Sequence, residues 1–392
     1  MTSPSSIMNP KTTSLVKIFS RFLRLGLTAF GGPAMVASIR SVSVEQEQWL
    51  DDTTFNNGVS LCQAVPGATA MQVAAYVGLK IRGLSGAIAA FIGFGLPAFV
   101  LMMVLSALYM HMFTLPPVVS IFHGLQVIIV AIIATATVTF ARTSLKKWVH
   151  LVIAVIAAVL FLLGVHPILV ILSAALLGLA ILRIDTSSPE PVQRVTVSGP
   201  EPGYFILIGL VAAMFLVLFF FEKNLFELAA VMFRVDLFAF GGGFASLPLM
   251  YHEVVDAHAW LDSATFLSGI ALGQVTPGPI VITATFVGYL VDGFWGGVVS
   301  TIAIFTPSFL IIVGTEPYYD QMQGLPLFRR AVNGILLSFV GLLLSVTIRF
   351  AMGIHWDWQL VLLGAGTLIA LLLGAEMLWV VIIGVIISYF FL

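Results

Sequence analysis

"FLRLGLTAFGGP" at residues 22–33 returns 210 residues later as "MFRVDLFAFGGG" at residues 232–243. Each stretch is largely apolar before it reaches its glycines, and paired glycines weaken a helix. The first copy adds Pro33, which removes a backbone hydrogen-bond donor. The two stretches therefore predict that one helix in each half of the chain is interrupted inside apolar sequence.

Further pairs of segments recur in the same order, at an offset of 210 or 211 residues. They are "WLDDTTF" (49–55) with "WLDSATF" (260–266), "CQAVPGATA" (62–70) with "GQVTPGPIV" (273–281), "GFGLPAF" (93–99) with "AIFTPSF" (303–309), and "FLLGVHP" (161–167) with "LLLGAEM" (371–377). A constant offset across most of the chain indicates an internal duplication.

The composition indicates a membrane protein. Hydrophobic residues make up 60% of the 392 residues and charged residues 9%, which a soluble globular protein does not match. The apolar runs are continuous and long enough for helices that cross a hydrocarbon core, which takes about 20 residues each. Continuous rather than alternating runs exclude a transmembrane β-barrel. The predicted class is an all-α polytopic membrane protein.

Several classes of chemistry are not expected. One cysteine, Cys62, excludes an internal disulfide framework and a cysteine-rich metal site. The sequence contains no Walker loop, no zinc-type His/Cys pair and no GxSxG elbow. We expect no catalytic residue, cofactor, bound metal or nucleic-acid partner. An integral-membrane enzyme is a remote alternative, because the carboxylates lie mostly in predicted loops rather than inside spans.

Apolar length and helix breakers predict about 13 transmembrane helices, arranged as two six-helix repeats with one extra helix between them. The predicted spans are 15–40, 58–79, 84–112, 118–141, 148–164, 166–182, 204–221, 225–250, 266–290, 294–314, 330–350, 359–374 and 376–392. The predicted domains are a cytosolic tail (1–14), an N-terminal transport repeat (15–182), a linker (183–203), an extra transmembrane helix (204–221) and a C-terminal inverted transport repeat (225–392).

The single extra helix predicts that the two repeats have opposite orientations. Six spans return the chain to its starting side, so one further span inverts the second repeat. Lys and Arg collect in short cytoplasmic loops. Lys80 and Arg82 lack basic counterparts in the second copy, and Arg329 and Arg330 lack them in the first. This pattern predicts a bacterial inner-membrane protein with a cytoplasmic N-terminus and a periplasmic C-terminus.

The helix breaks predict where a ligand binds. Transporters with inverted repeats build their sites near the bilayer midplane from interrupted helices. The breaks lie at Gly31–Gly32–Pro33 and Gly241–Gly242–Gly243, and again at "PGA" (66–68) and "PGP" (277–279). A broken helix exposes N–H groups and the positive end of its dipole, which suits an anion.

Charged residues near the first breaks agree with an anion. Arg24 and Arg234 occupy matching positions about two helical turns before their glycines. A guanidinium inside an apolar span is costly and usually has a partner or a cavity, and its fork matches the oxygens of a tetrahedral oxyanion. The alternative is that each arginine lies near the membrane surface. Asp236 is predicted to be either the ion-pair partner of Arg234 or a proton carrier.

Polar residues near the second breaks are further candidates. Gln63 and Gln274 precede their prolines by three residues, and Thr69 follows closely. Amides and hydroxyls can coordinate an oxyanion, although interhelical hydrogen bonding explains them equally well. Glu253, in the polar loop "YHEVVDAH" (251–258), is a candidate for gating or proton transfer, with a solvated loop as the alternative.

The recurrence of "FGGP", "WLDDTTF", "QAVPGA" and "LPAF" in order makes this chain resemble the chromate ion transporter family, in its long two-domain form. The resemblance places the family's arginine–glycine and proline–glycine–proline segments on candidate substrate-binding residues. These are Arg24, Gly31, Gly32, Pro33, Pro66 and Gly67, and Arg234, Gly241, Gly242, Gly243, Pro277, Gly278 and Pro279. The chain departs from the family pattern at Ala68, at Gly243, and at Val42, which stands opposite Glu253.

The resemblance implies export of chromate, giving chromate resistance, with sulfate or another tetrahedral oxyanion as the alternative substrate. The expected mechanism is alternating access, in which Arg24 and Arg234 hold charge and the broken helix ends hold oxygens. The expected partners are the oxyanion and the lipid bilayer, and a homo-oligomer is left open.

Overall fold

The computed structural model describes residues 13–30, 32–112, 115–182, 199–323 and 325–391. In the first half the helices are α1 (Leu15–Thr28), α2 (Gly32–Arg40), α3 (Asp52–Ala64), α4 (Thr69–Met112), α5 (Pro116–Ser144), α6 (Trp148–Leu162) and α7 (Pro167–Ile181). The predicted tail up to residue 12 and residues 183–198 of the predicted linker lie outside the described residues.

The second half repeats this order after α8 (Pro202–Phe221). Its helices are α9 (Lys223–Leu237), α10 (Gly243–Tyr251), α11 (Ser263–Val275), α12 (Thr283–Thr315), α13 (Tyr319–Gln323), α14 (Pro326–Gly353), α15 (Trp358–Leu372) and α16 (Met377–Phe391). Matching π-helical turns follow α2 at Ser41–Gln46 and α10 at His252–Ala257. The all-helical membrane class is confirmed.

The prediction that residues 15–40 form one span is wrong, because α1 and α2 fold back on each other. Lys17 Nζ, near the start of α1, lies 2.5 Å from Glu47 Oε2, just after the π-helical turns. The start of α1 and the end of the π-helical turns therefore lie at the same face of the molecule. The 14 residues of α1 extend about 21 Å, too short for a crossing, so the break turns the chain around.

The prediction of a span at 58–79 is wrong for the same reason. α3 runs inward, the break at residues 65–68 turns the chain, and the first arm of α4 runs back. The Tyr76 hydroxyl donates to the Thr54 carbonyl at 3.1 Å, and Arg82 Nη1 donates to the Thr13 carbonyl at 3.2 Å. Residue 82 has thus returned to the level at which α1 begins.

The second half contains the same two hairpins. His258 Nε2, after the second π-helical turns, lies 3.4 Å from Glu227 Oε1, near the start of α9. The predicted spans 225–250 and 266–290 are therefore also wrong. α9 with α10, and α11 with the start of α12, are re-entrant hairpins rather than crossings. Hydropathy alone joins the two arms of such a hairpin into one apparent span.

Matching kinks separate each second hairpin from a crossing helix. α4 bends at Arg82 and Gly83 (φ 60°), and α12 bends at Asp292 and Gly293 (φ 58°). A positive φ is strained for residues with a side chain, so each bend takes place at a glycine. Beyond its bend, each helix continues as a long apolar arm of spanning length.

The two crossing arms run antiparallel, which shows that the halves are inverted. Lys80 pairs with Glu316, Phe91 contacts Phe309 with ring centroids 5.0 Å apart, and further along Gly297 approaches Met103. Along this contact the residue numbers therefore increase on α4 while they decrease on α12. Because these arms are equivalent in the duplication, an approximate twofold axis relates the halves.

The last helical hairpin of each half packs against a long helix of the other half. α6 and α7 pack along α14, where Arg349 Nη2 donates to the Phe161 carbonyl at 2.8 Å near one end and Arg330 donates to the Leu179 carbonyl near the other. α15 and α16 pack along α5 in the same way. The halves therefore share one apolar core.

The molecule has two opposite faces. The N-terminal face carries Lys17, Glu47 and Arg82, and the opposite face carries Lys223 and His258. Phe391, in the last helix, lies near the opposite face, where its carbonyl accepts from Gln359 Nε2 at 2.9 Å. The described helices thus begin and end on opposite faces of the molecule, and five of them are long and apolar enough to cross a membrane.

Candidate functional site

The tips of the four re-entrant hairpins meet in the middle of the molecule. The Gly67 N–H donates to the Ala239 carbonyl at 2.9 Å, and the Gly278 N–H donates to the Ala29 carbonyl at 3.0 Å. Each of these bonds joins a second-hairpin tip of one half to the first-hairpin tip of the other. They satisfy backbone groups that the breaks release, as broken helices inside a membrane require.

Glycines make this meeting of tips possible. Gly67 and Gly278 have φ values of 127° and 111°, which residues with side chains rarely adopt. A Cβ on Gly67 would lie 2.4 Å from the Ser308 hydroxyl, and one on Gly278 would lie 2.7 Å from the Ala98 methyl. Conformation and close approach therefore both require glycine at the second breaks.

A cavity of about 730 Å³ lies beside the tips, on the side of the N-terminal face. Many of the predicted substrate-binding residues line it: Gln63, Thr69, Gly241, Gly242, Gly243, Gln274, Gly278 and Pro279. Its volume falls within the range of about 300–1,000 Å³ usual for small-molecule sites. The fold thus places predicted residues from both halves of the chain in one cavity.

The cavity wall offers hydrogen-bond donors. Gln274 Nε2 is buried and has no hydrogen-bond partner among the described residues. Gly241 and Gly242, with φ values of 94° and 91°, lead into α10, whose first N–H groups lack partners inside the helix. The positive end of the α10 dipole adds to these donors. A buried free amide beside a helix start suits an anion.

Two basic residues that sequence reasoning did not select also line the cavity. Lys146 and His150 stand at the turn between α5 and α6, near Thr143 and Ser144. Lys146 is exposed and has no ion-pair partner in the part of the chain that the structure describes. "SLKKWVH" (144–150) is the signal in the sequence, and there it reads as an ordinary cytoplasmic loop.

The two predicted arginines are not among the described residues that line this cavity. Arg234 Nη2 binds Glu253 Oε2 at 3.0 Å, and both residues line a small separate pocket with His166. Arg24 is exposed on α1, and none of the described residues forms an ion pair with it. The role of these arginines in binding stays a prediction.

Asp236 does not pair with Arg234, so the predicted ion pair between them is wrong. Its Oδ2 instead accepts hydrogen bonds from the Ser308 N–H at 2.8 Å and the Ser308 hydroxyl at 2.6 Å. Arg234 reaches Glu253 because the hairpin folds back, which brings the π-helical turns after α10 beside α9. Asp236 instead faces α12, where Ser308 lies.

The remaining predicted residues that the structure describes lie at the tips. The Pro66 carbonyl accepts a hydrogen bond from Gln72 Nε2 at 2.6 Å, and Pro277 precedes Gly278 in the matching tip. Gly31 lies outside the described residues. Gly32 and Pro33 begin α2, and the structure describes only their backbone.

At the opposite face, polar contacts join the helices over the tips. Arg349 Nη1 binds Asp256 Oδ2 at 2.6 Å, and His252 Nδ1 lies 3.5 Å from the same carboxylate oxygen. The rings of His166 and His252 are in edge contact, with centroids 5.3 Å apart. These contacts join α14, α6–α7 and the second half's first hairpin. The described structure therefore has a cavity beside one face and a polar seal at the other.

Comparisons with known proteins agree with this architecture. The sequence pattern of a family described as chromate transporter matches residues 16–179 and again residues 226–389. An uncharacterized transporter of Methanocaldococcus jannaschii is 42% identical over 382 residues, 97% of this chain and 95% of that protein. No solved structure matches the chain.

Relatives with a named substrate are more distant. A chromate transport protein of Cupriavidus metallidurans is 29% identical over 353 residues, 89% of this chain and 86% of that protein. A chromate transport protein of Pseudomonas aeruginosa is 29% identical over 356 residues, 87% of this chain and 82% of that protein. The similarity thus extends over both halves and the helix between them.

Proposed function

Because this chain belongs to the chromate transporter family, we propose that it exports chromate across the inner membrane by alternating access. The observation that carries the proposal is the cavity at the meeting of the four hairpin tips, which lies beside the N-terminal face, while ion pairs join the helices at the other face. A cavity of this kind in an inverted-repeat protein suits one conformation of a transporter whose two halves exchange roles.

Chromate would be held by charge and by hydrogen-bond donors. Lys146, with His150 beside it, provides positive charge at the cavity wall, and charge of one sign in a cleft raises the local concentration of the opposite ion. Gln274 Nε2 and the N–H groups at the start of α10 donate to oxygens. These donors are fixed by the backbone breaks, so little ordering is needed on binding.

The membrane potential favours export. The N-terminal face carries most of the basic residues of the two faces, including Lys17, Arg21, Lys80, Arg82 and Lys147. Short cytoplasmic segments collect Lys and Arg, so we assign this face to the cytoplasm. A dianion leaving a cell at −100 mV gains about 4.6 kcal/mol, at about 2.3 kcal/mol per charge.

Sulfate is the second candidate substrate. Chromate and sulfate are both tetrahedral dianions, and the donors around the cavity distinguish ligands by shape and charge. Relatives with a named substrate, such as those of Cupriavidus metallidurans and Pseudomonas aeruginosa, are chromate transport proteins, so chromate is the first choice.

The test is uptake of chromate into inside-out vesicles that contain the protein, with and without an imposed potential and with sulfate as competitor. Export predicts uptake that rises when the vesicle interior is positive. Inhibition by sulfate would extend the substrate class to tetrahedral dianions. Absence of chromate and sulfate uptake under both conditions would overturn the proposed function, with empty vesicles as the control.

A further inference from the structure

Asp236 is a buried carboxyl group in the last turn of α9, and its side chain is inaccessible to solvent. Its Oδ2 accepts both hydrogen bonds from Ser308, at 2.8 Å from the N–H and 2.6 Å from the hydroxyl. Its Oδ1 is also buried and has no hydrogen-bond partner among the described residues. The two donors on one oxygen support the ionised form, and the free oxygen can receive a proton.

Among the residues that the structure describes, no positive side chain forms an ion pair with this carboxyl group. Arg234, two residues earlier, is bound to Glu253. The titratable side chains on the helices that pack against α9 are Tyr204 of α8, Tyr251 of α10, and Tyr289 and Asp292 of α12. None of them hydrogen-bonds to Asp236 in the described structure. A buried carboxylate without a cation is costly, so a proton is the cation that can neutralise it.

Two hydrogen bonds connect this carboxyl group to the cavity wall. The Ala68 N–H donates to the Ser308 hydroxyl at 2.7 Å, and that hydroxyl donates to Asp236 at 2.6 Å. Ala68 lines the cavity, in the tip between α3 and α4. The charge on Asp236 therefore lies two hydrogen bonds behind the surface that an anion would meet.

The first half has no equivalent of this connection. Gly26 stands where Asp236 does in the duplication, and Ala98 stands where Ser308 does. A Cβ on Gly26 would lie 2.3 Å from the Phe94 carbonyl oxygen, so close packing of α1 on α4 leaves no room for a carboxylate. The scaffold therefore does not need the carboxyl group in order to form a hairpin tip.

We propose that Asp236 is a proton-binding site coupled to the anion cavity, taking up one proton from water on Oδ1 when an oxyanion binds. An ionised carboxylate this close to the cavity repels the anion, so anion binding favours the neutral acid. The coupling is reciprocal, and protonation of Asp236 strengthens anion binding equally. This inference rests on the proposed function, and it couples the binding of one proton to the binding of the transported anion.

The first experiment measures sulfate binding to the purified protein as a function of pH, because sulfate keeps its charge near neutral pH whereas chromate itself takes up a proton there. One coupled proton predicts that affinity falls by up to tenfold per pH unit across the range in which Asp236 titrates, and is highest on the acid side. Asp236→Asn imitates the neutral acid, so it should bind with high affinity and lose the part of the pH dependence that is due to Asp236. Proton uptake from a weak buffer on adding the anion should be present in the unmodified protein and lost in this variant.

Other titrating groups are separated by matched variants. His150 and Lys146 line the cavity and also favour anions when protonated. The series is therefore repeated in a His150→Gln background, where the slope due to Asp236 should persist. Glu222→Gln, at an exposed carboxylate before α9, should leave the slope unchanged. A slope that survives Asp236→Asn in the His150→Gln background, or no slope in the unmodified protein, overturns the inference.

A second readout does not depend on the anion. Infrared difference spectra of the anion-free protein, recorded while the pH is raised, should show loss of the carbonyl band of a protonated carboxyl group, and Asp236→Asn should lack that band. If neither anion binds, the proposed function fails while this band still tests Asp236. Absence of the band at every pH at which the protein stays folded overturns the assignment of a proton site.

Discussion

Lys146 is the residue on which the proposed anion site should depend most in this conformation. It lines the cavity, and no described carboxylate pairs with it. A charge-assisted hydrogen bond contributes about 1.5–3 kcal/mol, so Lys146→Gln should raise the KM for the anion about tenfold or more. Lys147→Gln is the matched control, because Lys147 is equally exposed but does not line the cavity. Equal effects of the two changes would show that only overall surface charge matters.

The two arginines allow the sequence prediction to be tested directly. If both hold the anion's charge, Arg24→Ala and Arg234→Ala should each slow vesicle transport strongly. Arg234→Ala also removes the ion pair with Glu253, so its effect on stability is measured by thermal unfolding. Unchanged transport by both variants would exclude the arginines from binding and leave Lys146 and the backbone donors as the site.

Comparison of the two copies identified residues of the candidate site that are repeated in both halves, and it missed residues that occur in only one half. Gln63 and Gln274 correspond to each other, and both line the cavity. Lys146 and His150 correspond to Trp356 and Leu360, so comparing the two copies could not single them out. Arg24 and Arg234 correspond in sequence, but their surroundings differ because Val42 stands opposite Glu253. Only side-chain packing, which the duplication does not encode, shows such asymmetry.

At the scale of the hairpin tip, Gly278 combines a φ of 111° with close contact to Ala98. Gly278→Ala should lower the free energy of unfolding by about 1–3 kcal/mol from backbone strain, and by more from the contact. Gly164→Ala is the control, since Gly164 has a φ of 79° and no neighbour within 4 Å of an added Cβ. Thermal unfolding of both variants separates strain from crowding. Equal losses would show that the contact contributes nothing.

The breaks were predictable from the sequence, and the direction of the chain after them was not. "FGGP" and "PGA" indicated that helices stop, because glycine and proline act locally on the backbone. Whether the next helix continues or turns back depends on contacts far away in sequence, such as the bond between Gly67 and Ala239. Segment 15–40 also has enough apolar residues for a span, so its length did not reveal two short arms.

Cysteine labelling distinguishes a re-entrant hairpin from a span. Thr53 is exposed at the start of α3 and, with α1–α2 folded back, lies on the N-terminal face. In a background with Cys62→Ala, a membrane-impermeant thiol reagent should label Thr53→Cys from the same side as Lys147→Cys, and from the side opposite to Lys223→Cys. If residues 15–40 crossed the membrane, Thr53→Cys would instead label together with Lys223→Cys.

For the whole molecule, alternating access requires that one face open as the other closes. The last helical hairpin of each half packs along the long helix of the other, so under the proposed mechanism movement at one face would be transmitted across the twofold axis. The inverted arrangement would then allow two related conformations of one scaffold, although the side chains at the two faces differ. At the opposite face the contacts converge on Arg349, which joins Asp256 to the end of α6.

Arg349→Gln should therefore weaken the seal and increase the population open to the opposite face. Arg349 binds Asp256 Oδ2 at 2.6 Å and the Phe161 carbonyl at 2.8 Å, so the change removes charge-assisted bonds of about 1.5–3 kcal/mol each. With Cys62→Ala, a reagent applied from the opposite face should label Gln63→Cys in the cavity several-fold faster when Arg349→Gln is present. Arg329→Gln, exposed on the N-terminal face, is the control and should leave that rate unchanged. Equal labelling rates with and without Arg349→Gln would show that the hairpin tips alone close the path.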